Sequence, residues 1–246
     1  MTRLFLSPVT IDQLSPDCLF LATVHRTRSP LSECDYNIHK SNSTYFSDMD
    51  ISRGNLSLLL FSQRLSYRPT DNTALMILSG VQCVFRKEIK PYEPYEVWSR
   101  ILSWDEKWIY IVTHFVPRNT CRPTRFYLQG RGTPREHAPS ERPGANCHVP
   151  GTKKVFASAV SRYVFKQGRK TYPPQKMLVE CGLLPPNPEP LASAEPDPCR
   201  MRWKAIEERR RKDLGIAQLQ LGWDAVHDCF EDVPTVLGQY TDLLWR

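Results

Sequence analysis

No apolar run in this sequence approaches the roughly 18 residues a membrane-crossing helix needs. The greasiest stretch, Leu56 to Phe61, is far too short. Met1 to Leu21 lacks a basic segment, an apolar core and a small-residue cleavage site, so no standard secretory signal is expected. CxxC pairs are absent as well. The eight cysteines (18, 34, 83, 121, 147, 181, 199 and 229) are scattered, without the spacing of a disulfide scaffold or a zinc site. Reduced thiols and a cytoplasmic location are the expectation. There is no GxSxG elbow of a serine hydrolase. Gly130-Arg131-Gly132 lacks the third glycine of a dinucleotide loop, and Cys147-His148 is a lone pair from which no metal site is expected. No internal repeat is present.

What is there is a globular composition. The 246 residues are 41% hydrophobic and include 6 Trp, 10 Tyr and 10 Phe, enough for a sizeable core in one domain, with or without appendages. The formal charge of +7 is localised: Pro117 to Lys170 holds twelve Lys or Arg against two acids, which leaves the remainder at −3. That charge lies mostly in a proline-rich loop and is not interleaved with aromatics on a regular platform, so nucleic acid is not the expected partner. Phosphates of a ligand, or an acidic carrier, fit it better; a solvated loop is the plainer alternative.

Periodicity places the elements. A short strand, Leu19 to Val24, leads into a turn at Ser29-Pro30. A helix follows in which Tyr45, Met49, Leu56 and Leu60 share a face, with Asn42 or Ser43 as its cap. Gly54 inside it costs about 1 kcal/mol against Ala unless something must approach closely. After Pro69 the period becomes two, with Leu75, Ile77, Val81 and Phe85 alternating between Thr73 and Glu88. Tyr95 to Trp104 and Trp108 to Val116 form a hairpin through Asp105-Glu106-Lys107. Val155 to Lys166 is a further strand. A short helix is expected at Gln175 to Cys181, and a charged helix from Pro198, interrupted at Gly215 and resumed from Leu219 to Phe230.

The expected class is α+β: one long central helix wrapped by a curved antiparallel sheet, with a C-terminal helical extension. Residues 1–172 form the main domain, with a basic insertion at 117–154; residues 173–246 form a linker and the extension. An open sheet edge must be paired or covered, and a homodimer through an edge strand is the economical answer.

The informative segment runs from Glu33 to Asp50. Asp35, His39, Asn42, Tyr45 and Phe46 reproduce a spacing of Asp, His four residues on, Asn three further, then Tyr-Phe. This resembles the start of the central helix in hot-dog-fold thioesterases of the 4-hydroxybenzoyl-CoA type, and the element order agrees over roughly residues 15 to 170. The insertion and the C-terminal helices resemble a fungal branch tied to polyketide or lipopeptide pathways. One departure stands out: the family often has Gly before the His, where this chain has Ile38.

The resemblance implies a cytoplasmic, homodimeric hydrolase of acyl or polyketide thioesters on CoA or a carrier's phosphopantetheine arm. Its site would lie at the subunit boundary and need neither metal nor organic cofactor. Asp35 would attack the carbonyl or activate water, with His39 beside it. Backbone N–H groups near Asn42 and Ser43 would hold the oxyanion, with Tyr45 at the substrate. Arg118, Arg122, Arg125 and Arg131 would meet CoA phosphates or an acidic carrier. Each residue also has a plainer role: Asp35 as a turn cap, His39 as a loop hydrogen bonder, Asn42 as an N-cap, and Tyr45, Phe46 and Met49 as core. Asp48 and Asp50 would then serve the helix dipole, with Arg53 paired to either, and Arg209 to Lys212 would be a charged helix face. Two rival functions stay open. One is a dehydratase or isomerase using His39; the other is a non-catalytic acyl-binding or scaffold protein.

Overall fold

The computed structural model describes residues 14–66, 73–128, 155–185, 198–231 and 233–241. In chain order its elements are β1 (Thr23–Arg28), α1 (Asn42–Phe61), β2 (Leu75–Phe85), β3 (Pro94–Trp104), β4 (Ile109–Pro117), β5 (Arg125–Phe126), β6 (Ala157–Gln167), β7 (Lys170–Tyr172), α2 (Pro174–Glu180), α3 (Pro198–Ala217), α4 (Gly222–Asp228), β8 (Thr235–Val236) and β9 (Gly238–Thr241). The main sheet runs β2-β6-β4-β3-β1-β9, with β7 added to β6. Its pairs are antiparallel except β1 with β9, which is parallel. The short β5 and β8 form a separate parallel ribbon.

Helix α1 lies across the inner face of this sheet. Tyr45, Met49, Leu56 and Leu60, the residues expected on one face, are all buried. They meet alternate residues of the strands, among them Tyr95, Val97, Ile111, Phe115, Ala157 and Ala159. At the crossing, small hydroxyls replace large apolar groups. Ser52 Oγ is 2.8 Å from Ser99 Oγ, which is 2.9 Å from Thr113 Oγ1. Arg53, also buried, donates to Met49 O at 3.1 Å and to Ser161 Oγ at 2.5 Å, and pairs with Asp50. Side chains of this size let the backbones approach, and mutual hydrogen bonds remove the cost of burying them.

The opposite face of the sheet is covered by the C-terminal segment. Ser103 Oγ donates to Arg210 O at 2.8 Å, and Arg210 returns a bond to Trp104 O at 2.9 Å, fastening α3 to β3. Under α4, Ser158 Oγ lies between two imidazoles, 2.9 Å from His114 Nδ1 and 2.6 Å from His227 Nδ1. Beyond helices, the segment supplies β9, which closes the β1 edge.

Several local expectations are corrected. The first strand begins at Thr23, because Pro16–Cys18 form a 3-10 turn and pairing runs from Thr23↔Ser99 to Arg28↔Pro94. The N-cap of α1 is Ser41, one residue before Asn42; its carbonyl accepts from Thr44 Oγ1 at 2.7 Å. Leu75, Ile77, Val81 and Phe85 do not share a face. A bulge between Leu78 and Gly80 sets Ile77 opposite Val164 but Val81 opposite Ser161, so the pattern switches sides midway. Gly215 does not interrupt α3, which runs to Ala217 and closes with Leu219 N–H on Ile216 O and Gln220 N–H on Gly215 O.

The departure at Ile38 has a backbone consequence. Ile38 sits at φ 59°, the left-handed region that a β-branched residue strongly disfavours. Ile38→Gly should therefore raise stability by about 0.5–1 kcal/mol, the steric relief less the extra freedom of the unfolded chain; thermal unfolding reads this directly. Ser99→Val should act oppositely. It crowds the helix crossing and strands the hydroxyls of Ser52 and Thr113, for a loss of about 2–4 kcal/mol, measured as a lower urea midpoint at unchanged slope.

Candidate active site

Residues 33 to 41 form a tight hairpin-like turn packed against the start of α1. The Asp35 N–H donates to His39 O at 2.9 Å, the Ile38 N–H to Asp35 O at 3.0 Å, and the Ser41 N–H to Glu33 O at 2.8 Å. A bridge between Cys34 and Lys40 closes the two legs. Within the turn, Asp35 Oδ1 accepts the Asn37 N–H at 2.9 Å, which fixes the direction of the carboxylate. Asp35 is half-buried. The turn-capping role and a chemical role are therefore compatible, since one oxygen serves the turn.

Asn42 and Ser43 open α1 and are exposed. Their N–H groups belong to the first turn, which has no intrahelical acceptors, and the helix dipole favours negative charge there. The turn thus carries a half-buried carboxylate in the connection that leads directly into these backbone donors. His39 is also half-exposed, with Nε2 3.9 Å from Glu88 Oε1, too long for a hydrogen bond. Tyr45 is buried, edge-on to Phe85 at 4.9 Å and tilted against Phe115 at 4.8 Å, which makes it part of the core beneath the site. Desolvation is the main reason its phenol pKa is raised well above the ordinary value.

A network beneath the turn went unnoticed in the sequence. Lys40 is buried, with Nζ 2.7 Å from Glu33 Oε2 and 3.0 Å from Asp48 Oδ2. Tyr95 donates to the same Asp48 oxygen at 2.5 Å. Burial, with the Asp48 charge next in importance, raises the Tyr95 phenol far above its usual pKa, so it remains a donor. Asp48 is thereby reassigned: it serves this network, whereas Arg53 takes Asp50. A lysine between Ser, His and Asn reads as solvated; only the register of the turn shows it pointing inward.

The basic candidates are dispersed. Arg118, Arg122 and Arg125 are exposed. The Arg118 N–H donates to Pro94 O at 3.3 Å, beside Tyr95, while Arg125 lies in β5 opposite Thr235. Arg131 lies outside the described residues, as do Gly130, Gly132, Cys147 and His148. The Arg209 to Lys212 run makes ordinary ion pairs, Arg209 with Glu231 at 2.7 Å and Arg210 with Glu207 at 2.6 Å. Among the described residues, no group of three His, Cys, Asp or Glu is placed to hold a metal, and no helix is long and apolar enough to cross a membrane.

Comparison with known proteins gives the family. Residues 29–180 match the family model of the Thioesterase-like superfamily. The thioesterase poxG of Penicillium oxalicum is 40% identical over 236 residues, covering 92% of this chain and 75% of that protein. The probable thioesterase atnL of Emericella nidulans is 38% identical over 219 residues, covering 81% and 67%. Among solved structures, the probable thioesterase YbaW from Escherichia coli aligns at a TM-score of 0.44 and 11% identity, over 66% of this chain and 96% of its own. With its central helix on an antiparallel sheet and a matching segment that contains the Asp35 turn and α1, the chain belongs to the Thioesterase-like superfamily and has its hot-dog fold.

Proposed function

We propose that this thioesterase hydrolyses an acyl or polyketide thioester carried on CoA or on a phosphopantetheine arm, in secondary metabolism, with Asp35 as the reacting carboxylate. The observation that carries the reading is the hydrogen-bonded turn that carries Asp35 and runs directly into the first turn of α1, where the N–H groups of Asn42 and Ser43 have no intrahelical acceptor. The carboxylate attacks the thioester carbonyl, or takes a proton from a water that does. Negative charge then develops on the carbonyl oxygen, where first-turn donors stabilise it. Collapse expels the thiolate, a good leaving group that needs no strong general acid; on the direct route this leaves an acyl anhydride on Asp35, which water then hydrolyses to the free acid and the restored carboxylate. Exposed Arg118, Arg122 and Arg125 would meet the phosphates of the carrier.

The reading includes a homodimer through β2. This eleven-residue strand ends the sheet, and no strand covers its outer edge among the described residues; the other end is the four-residue β9. Ile77, Leu78 and Phe85 are large apolar residues left exposed on it. A cavity of about 200 Å³ lies alongside, lined by Arg53, Gly54, Leu58, Leu65, Leu75 and Met76. Engineered apolar cavities of about 150 Å³ hold benzene, so this one has room for a small acyl group. Gly54 is about 18 Å along α1 from its start at 1.5 Å per residue, too far to serve the chain's own Asp35 with a short acyl group. Antiparallel pairing of two β2 strands sets the Phe85 end of one copy beside the Leu75 end of the other. Each cavity then serves the Asp35 of its neighbour.

Thiol release from a panel of acyl-CoA and acyl-pantetheine thioesters tests the chemistry. Asp35→Asn should fall by about a hundredfold or more, while His39→Ala should only weaken the enzyme. Absence of thiol release, with dehydration or isomerisation of the intact acyl thioester that is lost in His39→Ala, would instead favour the dehydratase reading that His39 keeps open. In a single turnover in ¹⁸O water, label in the Asp35 carboxyl marks direct attack with water opening the anhydride at the aspartyl carbon, whereas base catalysis never labels the enzyme. For the assembly, Ile77→Lys with Leu78→Lys should turn a dimer into a monomer in analytical ultracentrifugation and reduce turnover by at least about tenfold. A wild-type monomer with full activity would end the shared-site reading.

A further inference from the structure

The Asp35 turn is fastened to the fold by one buried ammonium. Lys40 Nζ lies between Glu33, in the leg of the turn just before Asp35, and Asp48, in the second turn of α1. It also stands 5.5 Å from the ring centres of both Tyr45 and Tyr95. Tyr95 ties Asp48 to β3, and the Lys40 N–H donates to Ile89 O at 2.9 Å, in the connection from β2 to β3. A single charge therefore meets the turn, the helix and the sheet. The side chain of Lys40 has no solvent exposure, and that of Asp48 has only 9%.

Such a cluster is a poor way to gain stability. Desolvating an ammonium and carboxylates offsets most of their attraction, and apolar replacements of similar size often fold as well or better. A charged network does supply direction. Packed methylenes tolerate sliding, whereas one ammonium shared by two carboxylates at 2.7 Å and 3.0 Å fixes both acceptors against it. The elements it fixes carry the two halves of the site. Glu33 is two residues from Asp35, and Asp48 is in the helix whose first N–H groups face the substrate.

On the reading that Asp35 is the reacting carboxylate, we propose that Lys40 is the positioning residue of this thioesterase. It sets the spacing between the Asp35 carboxylate and the oxyanion donors of α1, without touching the substrate itself. A displacement of about 1 Å between attacking and stabilising groups is enough to cost about a hundredfold in rate. Lys40 thus governs kcat, while substrate affinity depends on surfaces elsewhere.

The test is a set of variants: Lys40→Met, Lys40→Met with Asp48→Asn, and each of these with Asp35→Asn. Lys40→Met alone leaves Asp48 buried and unpaired, and it should lower both the melting temperature and the rate. The Lys40→Met/Asp48→Asn protein has no uncompensated buried charge from this pair, and its melting temperature should recover. Its kcat should stay about a hundredfold down, with KM within about threefold of wild type. In the Asp35→Asn background the Lys40 change should cost nothing further, because both act on one step.

A double variant that recovers kcat together with the melting temperature would reduce Lys40 to a packing role and overturn the proposal. Equal losses with and without the Asp35 carboxylate would also overturn it. Wild-type turnover by Asp35→Asn would bring down the hydrolytic reading and this one together. A slow Asp35→Asn beside a fully active Lys40→Met/Asp48→Asn would remove only the role of Lys40.

Discussion

Helix α1 rests on β3, β4 and β6 through a crossing point made of hydroxyls, and the rest of the molecule is arranged around that contact. Ser52, Ser99 and Thr113 pass hydrogen bonds from helix to sheet where larger side chains would hold them apart. On either side the contact is apolar, with Tyr45 and Met49 toward one end and Leu56 and Leu60 toward the other. Apolar contact alone would leave the helix free to slide by fractions of a turn at small cost. Directional bonds at the centre, with Arg53 reaching Ser161, remove that freedom. The axial position of α1 is then set, and with it the place of its N-terminus relative to the strands.

That constraint passes to the site through the first turns of the helix. The Asp35 turn has little regular structure of its own, and its legs are joined by a handful of backbone bonds. Its position comes from the network around Lys40, which refers it to Asp48 on α1 and Tyr95 on β3. The hydroxyl crossing fixes the helix on the sheet, and the ammonium fixes the turn on the helix. Two polar devices in series locate the carboxylate, each embedded in apolar packing that supplies the free energy but not the register.

The outer face of the sheet follows a related logic. Two imidazoles meet over Ser158, and the His227 pKa is lowered, chiefly by its burial. Arg100 donates to Cys229 O at 3.0 Å, and Arg86 pairs with Asp224, so the C-terminal segment is held by polar contacts spread over several strands. With that face occupied and only the four-residue β9 at the far end, β2 is the long strand that ends the sheet among the described residues.

Much of this was readable from residue patterns, and the failures have physical causes. The strands from Tyr95 and Trp108 appear almost as their apolar alternation indicates, because each is paired on both sides. The alternation in β2 misled at Ser79-Gly80, where a bulge reverses the facing and no periodic argument counts the extra residue. The Asp35 spacing marked the family. Lys40 was invisible because its burial depends on two carboxylates and two rings brought together by the fold, and a local pattern contains none of them. Ile38 was visible as a departure, but its meaning was not. Its left-handed backbone and the buried Lys40 charge are both unfavourable choices locally, and they lie two residues apart in the same turn. Elsewhere the chain mostly agrees with its own propensities. Unfavourable local choices persist where surrounding structure over-determines them, and here the surrounding structure is the bonded base of the turn that carries Asp35. The strained residue and the buried charge are thus parts of one arrangement, in which conformational freedom near Asp35 is given up for a defined position of its carboxylate.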